Sequence, residues 1–128
     1  MNKPLALLCY ENLLTGNQLL NRLQDEGYRT ALVTDPDRLL EQALADLPLL
    51  VAVELATRTD QVCEAIRLLK RNAATAHVPV LAYAKLGAGK GSRRFTDAAR
   101  GAGIDLLANE AGLLAQLPEL LDQVLRVE

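Results

Sequence analysis

Two kinds of hydrophobic pattern alternate along the chain. Short, almost unbroken apolar runs occupy five segments, at residues 5–9, 28–34, 49–55, 78–84 and 104–108. Runs of this kind are typical of strands that are covered on both faces. Longer segments with apolar residues three and four positions apart predict helices. These helical segments lie at residues 12–26, 35–46, 59–72, 92–100 and 118–127.

Local signals mark where several of these elements begin and end. Gly27 follows the first helical segment, at the usual position of a C-terminal glycine. The pair Asp35-Pro36 predicts a helix start, with a capping carboxylate followed by proline at the first helical position. Thr59 or Asp60 can cap the third helix, and Pro118 is interpreted as the first residue of the last helix.

The alternation of strands and helices predicts an α/β fold. Parallel strands joined by helices require right-handed crossovers, which place helices on both faces of the sheet. Five such units are too few for an eight-unit barrel. We therefore expect a flavodoxin-like, doubly wound sheet of five parallel strands in the order 2-1-3-4-5. No repeat or linker interrupts the pattern, so residues 1–128 are expected to form one domain.

Composition and charge argue against several functions. The net charge of −2 gives no general attraction to nucleic acid or a membrane. Only four residues are aromatic, so the chain has no platform for stacking bases. No apolar run approaches the roughly 20 residues that span a bilayer, and no signal peptide is recognisable. We expect a cytoplasmic protein that does not bind membranes and for which nucleic acid is a poor partner.

The residues suited to chemistry are sparse. Cys9 and Cys63 lack the spacing of a zinc or redox motif, and both are interpreted as small buried hydrophobic residues. No nucleophile–base or acid–base pair is recognisable, so we expect no enzymatic activity, no metal and no cofactor. The most informative carboxylate is Glu54, which ends the third strand segment. The carboxyl ends of parallel strands border the ligand crevice in such folds.

Five segments resemble response-regulator receiver (CheY-like) domains, in register over nearly the whole chain. They are Cys9-Tyr10-Glu11, Glu26-Gly27-Tyr28 and residues 48–55, 78–84 and 101–105. The resemblance implies the flavodoxin-like fold and a role in bacterial signal transduction. It also places Glu54 where receivers carry the aspartate that accepts a phosphoryl group.

The departures from the receiver pattern affect every group that assists phosphorylation. Glu54 replaces the aspartate, and Ala84 replaces the residue that carries a hydroxyl. Cys9 and Tyr10 replace the acidic pair that holds Mg²⁺, leaving Glu11 as the nearby carboxylate. Asn109 or Glu110 falls at the position of the lysine. The resemblance therefore implies a degenerate receiver, or pseudo-receiver, that is not phosphorylated in the usual way.

Glu54 and its neighbours leave two interpretations. Glu54 is either a built-in mimic of the phosphorylated state or a residue that bonds to backbone amides or solvent at the end of its strand. We favour the second interpretation because Ala84 has no hydroxyl to sense the mimic. Tyr10 and Tyr83 lie near strand ends, and we interpret them as filling the space of the lost phosphorylation site.

A glycine-rich basic loop at residues 85–94 is the second candidate site. Its possible anion-binding residues are Lys85, Lys90, Ser92, Arg93 and Arg94. The loop does not match the P-loop or dinucleotide-binding patterns, but its amides and cations, with a helix start capped near Ser92, suit an anion. A solvated surface loop is the interpretation we favour. The alternative function is therefore an anion, nucleotide or nucleic-acid binding module.

The leading function is a non-catalytic protein-protein interaction module with an unknown protein partner. In receivers, the face formed by the fourth helix, fifth strand and fifth helix makes dimer or partner contacts, so the resemblance implies a possible homodimer through it. The charged residues expected on this face are Arg93, Arg94, Arg100, Glu119, Asp122 and Arg126. Their mixed charge suits a two-fold interface.

Overall fold

The computed structural model describes residues 3–87 and 90–126, with the side chains of Lys90 and Gly91 excepted. Five strands form one parallel sheet in the order β2-β1-β3-β4-β5. The strands are β1 (Leu5–Cys9), β2 (Arg29–Leu32), β3 (Leu50–Glu54), β4 (Val80–Ala84) and β5 (Leu106–Asn109). The predicted α/β, flavodoxin-like sheet with strand order 2-1-3-4-5 is confirmed.

Five helices connect or follow the strands, and two 3-10 turns precede the second and last helices. The helices are α1 (Leu13–Asp25), α2 (Leu39–Asp46), α3 (Thr59–Arg71), α4 (Lys90–Ala102) and α5 (Leu117–Leu125), and the 3-10 turns are Pro36–Arg38 and Glu110–Gly112. None of these described helices is long and apolar enough to cross a membrane.

The sheet separates two hydrophobic clusters, because successive strand residues point to opposite faces. On one face, alternate residues such as Leu7 and Val53 pack with α2, α3 and α4. On the other face, residues such as Leu8 and Tyr83 pack with α1 and α5. Strands β1, β3 and β4 are buried along their whole length, as expected for a parallel sheet covered on both sides.

Some predicted helix boundaries are confirmed and others are wrong. Gly27 has a φ of 97° after α1, and the Asp35 side chain accepts a hydrogen bond from the Asp37 N–H. Thr59 is not a cap, because α3 begins at it and its hydroxyl donates to the Ala56 carbonyl oxygen at 2.7 Å. Ser92 is not a cap either, because α4 begins two residues earlier and the Ser92 hydroxyl donates to the Gly87 carbonyl oxygen.

Candidate functional site

A cavity of about 360 Å³, here called the crevice, lies at the carboxyl ends of β3 and β4. Doubly wound folds bind ligands at such a position. The crevice is lined by Glu11, Asn12, Glu54, Leu55, Ala56, Thr57, Lys85 and Phe95. Two carboxylates and one lysine therefore share a small space with an aromatic ring.

Glu54 is buried at the end of β3, with an exposed fraction of 4 %. One of its carboxylate oxygens, Oε1, accepts hydrogen bonds from the Glu11 N–H at 2.7 Å and the Asn12 N–H at 2.9 Å. A buried carboxylate requires such partners. Of the two interpretations of Glu54, bonding to backbone amides is the one that matches this arrangement.

The Glu11 side chain, in the loop after β1, bonds in turn to the loop that follows β3. Its carboxylate accepts a hydrogen bond from the Thr57 hydroxyl and another from the Arg58 N–H at 2.8 Å. Burial alone would raise the pKa of Glu11, but the hydrogen bonds from Thr57 and Arg58 and the positive charge of Arg58 outweigh it and lower that pKa. Glu54 at the end of β3 thus bonds to the backbone of the loop after β1, and Glu11 in that loop bonds to the backbone of the loop after β3.

Cys9 and Tyr10 point away from each other and do not line the described crevice. The Cys9 thiol packs on the α2–α3–α4 side, and its burial, opposed by the charge of Arg58, raises its pKa to about 11. The Tyr10 ring packs on the α1–α5 side, where its hydroxyl donates to Asn17 Oδ1 at 2.6 Å. Tyr83 lies on that same side. The expectation that Tyr10 and Tyr83 fill the crevice is therefore wrong, because the pleat turns both rings under α1 and α5.

Ala84 and Asn109 are adjacent in the register of β4 and β5. Ala84 is fully buried and has no polar side-chain atom. The Asn109 amide donates to the Leu86 carbonyl oxygen at 3.2 Å, and its oxygen accepts from the Leu86 N–H at 3.4 Å and the Ala111 N–H at 3.2 Å. Asn109 thus ties the start of the β4–α4 loop to the end of β5 and caps the 3-10 turn that follows.

The structure does not gather the predicted anion-binding residues into one site. Lys85 lines the crevice, whereas Arg93 and Arg94 are exposed on α4. The Arg94 guanidinium lies over the Phe95 ring, 5.9 Å from its centroid, a cation–π geometry. The Lys90 side chain and residues 88–89 lie outside the described part of the chain.

Structural comparison identifies the architecture. No protein-family model matches the sequence, and a search among curated proteins finds no match. Among solved structures, the receiver domain of the sensor histidine kinase PA1611 from Pseudomonas aeruginosa, with magnesium in its active site cleft, superposes with a TM-score of 0.80 at 19% identity, covering 98% of this chain and 99% of that one. The chemotaxis protein CheY4 of Vibrio cholerae gives a TM-score of 0.79 at 13% identity, with coverage of 95% and 98%. A phosphorylated cyanobacterial phytochrome response regulator, RcpA, gives 0.75 at 14% identity, with coverage of 98% and 96%.

The chain has the receiver-domain fold. Glu54 and Glu11 are the two carboxylates that line the crevice. Glu54 Oε1 and both Glu11 oxygens already accept hydrogen bonds, and no group of three side chains suited to a metal occurs in the two described ranges. Mg²⁺ requires a near-octahedral set of oxygens. The side chains of this receiver fold therefore do not fit that ion.

A second, larger cavity was not predicted from the sequence. It has a volume of about 810 Å³ and lies between α1 and the segment that follows β5. Thr15, Gln18 and Arg22 line one wall, and Glu110 and Leu114 line the other. Glu110 Oε2 accepts from the Thr15 hydroxyl at 3.3 Å, whereas Oε1 is buried without a hydrogen-bond donor in the described region. The i, i+3, i+7 spacing of the α1 residues is the one signal in the sequence that places them on a common face.

Proposed function

We propose that the chain is a pseudo-receiver, a non-catalytic interaction module of bacterial signalling that is not phosphorylated in the usual way. The observation that carries this proposal is the environment of Glu54. Its carboxylate is buried and holds two backbone amides of the neighbouring loop, so it is already used as a structural acceptor.

The other positions around Glu54 support the same proposal. Phosphoryl transfer depends on positioning and on stabilising the charge of the transferred group. Ala84 has no hydroxyl, and the Asn109 side chain bonds to the backbone of Leu86 instead of extending into the crevice. Lys85 lines the crevice from a different loop, but Glu11 and Glu54 line it too, and their negative charges repel an incoming phosphoryl group.

Incubation with Mg²⁺ and a small phosphodonor, followed by intact-mass measurement, tests this proposal. We expect no added phosphoryl group on the wild-type chain or on Glu54→Asp, because an aspartate alone does not restore the metal site, the hydroxyl or the lysine. A receiver that is known to be phosphorylated serves as the positive control. A stoichiometric phosphoryl adduct on the wild-type chain would overturn the proposal.

For the protein partner, we propose the face formed by α4, β5 and α5. Arg93, Arg94 and Arg100 are exposed on α4, while Asp122 of α5 forms an ion pair with Arg126, the residue that follows this helix. Asp97 is also exposed on α4, so the three arginines leave this helix with a net positive surface, which suits an acidic protein surface. In an affinity capture experiment, we expect the wild-type chain to bind a partner. The double change Arg93→Glu and Arg94→Glu should abolish this binding. Equal capture by the wild-type and doubly changed chains would contradict this proposal. The face could instead bind a second copy of the chain, and measuring the size of the same variant in solution tests that alternative.

The alternative of an anion, nucleotide or nucleic-acid binding module has weaker support. Among the described residues of the predicted basic loop, Lys85 alone lines the crevice, and two carboxylates line it as well. An anion placed against Lys85 there would approach both carboxylates. We therefore rank the interaction module first.

A further inference from the structure

The cavity of about 810 Å³ between α1 and the segment that follows β5, here called the α1 cavity, has no part in the proposed function. Its volume falls within the range of roughly 300–1,000 Å³ that is typical of small-molecule sites. Three parts of the chain line it: α1, the start of the β4–α4 loop, and residues between 109 and 115. The fold therefore brings together side chains that are far apart in the sequence.

Two hydrogen bonds hold the walls of the α1 cavity together. The Thr15 hydroxyl donates to Glu110 Oε2, and the Arg22 guanidinium donates through Nη1 to the Leu114 carbonyl oxygen, both at 3.3 Å. Thr15 and Arg22 are seven residues apart on α1, which separates them by about 10 Å along the helix axis. Gln18 lies between them on the same wall. The two walls are thus joined without any ligand.

The α1 cavity is rich in free hydrogen-bond donors. A guanidinium has five N–H donors, and the described hydrogen bonds of Arg22 use one of them. Lys85 and Gln18 are exposed, and their side chains form no hydrogen bond or ion pair with the described residues. Arg22, Lys85 and Gln18 can therefore all donate to a ligand.

Apart from the Gln18 oxygen, the side-chain acceptors of the carboxylate and amide in this lining are already used or buried. Glu110 Oε2 accepts from Thr15, and Oε1 is buried. The Asn109 oxygen accepts from two backbone N–H groups. Glu110 is also the one carboxylate in the lining, whereas Arg22 and Lys85 are two cations. The excess of donors and of positive charge suits an anion.

The crevice has the opposite balance of charge. Glu11 and Glu54 line it, and Lys85 is its one cationic residue. Lys85 lines both the crevice and the α1 cavity. An anion that contacts Lys85 therefore meets one carboxylate in the α1 cavity and two in the crevice, so the α1 cavity is the favoured side.

The rest of the lining is apolar. Leu86, Ala111, Leu114 and Ala115 contribute to it, and Leu86 and Leu114 are partly buried. Removing the apolar atoms of a ligand from water against such a surface is favourable. An inorganic anion would leave this surface unused. The chemistry of the lining therefore fits a ligand that has both an anionic group and an apolar body.

We propose that the α1 cavity binds a small organic acid, with its carboxylate held by Arg22 and Lys85 and its apolar body against Leu86 and Leu114. Arg22 can hold a carboxylate through two parallel N–H groups, which gives direction as well as affinity. The site is separate from the α4–β5–α5 face, and its occupation does not depend on the proposed interaction function.

Titration of the full chain with phenylbutyrate, followed through the backbone amide signals by NMR, tests the proposal. We expect the amides of Gln18, Arg22 and Ala115 to shift, and those of Glu54 and Thr57 at the crevice to stay in place. Phenylbutyramide keeps the apolar body without the charge, and inorganic phosphate keeps a charge without the body. Each should bind about tenfold more weakly or worse. Absence of shifts around the α1 cavity, shifts confined to the crevice, or equal binding of either control ligand would overturn the proposal.

Two pairs of variants locate the site. Ala115 is exposed and lines the α1 cavity. Ala115→Asp introduces a negative charge there and should raise the dissociation constant of phenylbutyrate about tenfold or more, whereas the neutral Ala115→Asn should bind as wild type does. Arg22→Gln should also weaken binding, whereas Arg71→Gln, at an exposed position of α3, should not. Equal affinity within either pair would contradict binding in the α1 cavity.

Discussion

Glu11 and Glu54 are linked reciprocally: Glu54 accepts hydrogen bonds from the loop that carries Glu11, and Glu11 accepts them from the loop that follows Glu54. Glu54 Oε1 holds the N–H groups of Glu11 and Asn12, and the Glu11 carboxylate holds the Arg58 N–H and the Thr57 hydroxyl. The two loops border the crevice, so these bonds fix its entrance. The two carboxylates that line the crevice therefore hold its two bordering loops together.

Replacing Glu54 by glutamine tests the structural role of its carboxylate. The shape is kept, but the negative charge that accepts two N–H groups is lost, and hydrogen bonds to charged groups contribute more than neutral ones. We expect the free energy of unfolding to fall by about 1–3 kcal/mol in urea denaturation. Glu119→Gln, at an exposed position of α5, is the control and should change stability by less than about 0.5 kcal/mol. An unchanged unfolding midpoint in Glu54→Gln would show that the two amides are satisfied without the charge.

Glu11 makes stability depend on pH in the acid range. The pKa of Glu11 is lower in the folded chain than its ordinary value of 4.5. A carboxyl group of this kind stabilises the fold at pH values above its unfolded pKa, and this contribution is lost as the pH falls through the folded pKa. Wild type should therefore exceed Glu11→Gln in stability at neutral pH, and the difference should shrink below about pH 4.5.

Urea denaturation of both chains at neutral pH and near about pH 3 measures this difference. The control is Glu41→Gln, because the Glu41 side chain is 76 % exposed on α2. Its difference from wild type should stay nearly constant between the two pH values. A Glu11→Gln difference that stays equally constant would contradict the pH dependence assigned to Glu11.

Two substitutions of Asn109 separate its bond to the Leu86 carbonyl oxygen from its role as the cap of the 3-10 turn. Asn109→Asp keeps an oxygen for the Ala111 N–H but loses the donor to the Leu86 carbonyl, at an expected cost of about 0.5–1.5 kcal/mol. Asn109→Ala loses the cap as well, which costs about 1 kcal/mol more. Urea denaturation should rank wild type, Asp and Ala in that order of decreasing stability, and equal stability of the two variants would argue against a role for the cap.

Gly16 and Gly101 form a matched pair of helical glycines with opposite expected effects. A Cβ on Gly16 would lie 2.0 Å from Tyr10 Cδ1, which forces the buried ring to move. A Cβ on Gly101 would meet no atom within 4 Å. Alanine stabilises an open helical site by up to about 1 kcal/mol relative to glycine. Thermal melting should therefore show a lower midpoint for Gly16→Ala and a higher one for Gly101→Ala, and a gain in both would mean that the Tyr10 ring yields freely.

The order of strands and helices follows from the sequence because it depends on local patterns. Unbroken apolar runs predict the strands, and the Asp35-Pro36 pair predicts the start of its helical segment. The failures at Thr59 and Ser92 have a common physical cause. A hydroxyl near a helix start also bonds to backbone carbonyls, so the residue type does not fix the capping position.

The candidate site was predictable as a position but not as a set of contacts. The end of β3 identifies Glu54 as a crevice residue. The bond from the Arg58 N–H to Glu11 joins residues 47 positions apart, and no local pattern contains that information. The direction of the Tyr10 side chain depends on the pleat of β1, and the contribution of Lys85 to the crevice depends on the path of the β4–α4 loop.

The contact between Tyr10 and Gly16 limits which side chains can stand at position 10. The ring occupies the space that a side chain at position 16 would take, so the two positions are matched in volume. Introducing an aspartate at position 10 would leave a void beneath α1 and place a charge in an apolar cluster. An aspartate at position 10 therefore requires repacking of the α1 core, and substitutions confined to the crevice are insufficient to accommodate it.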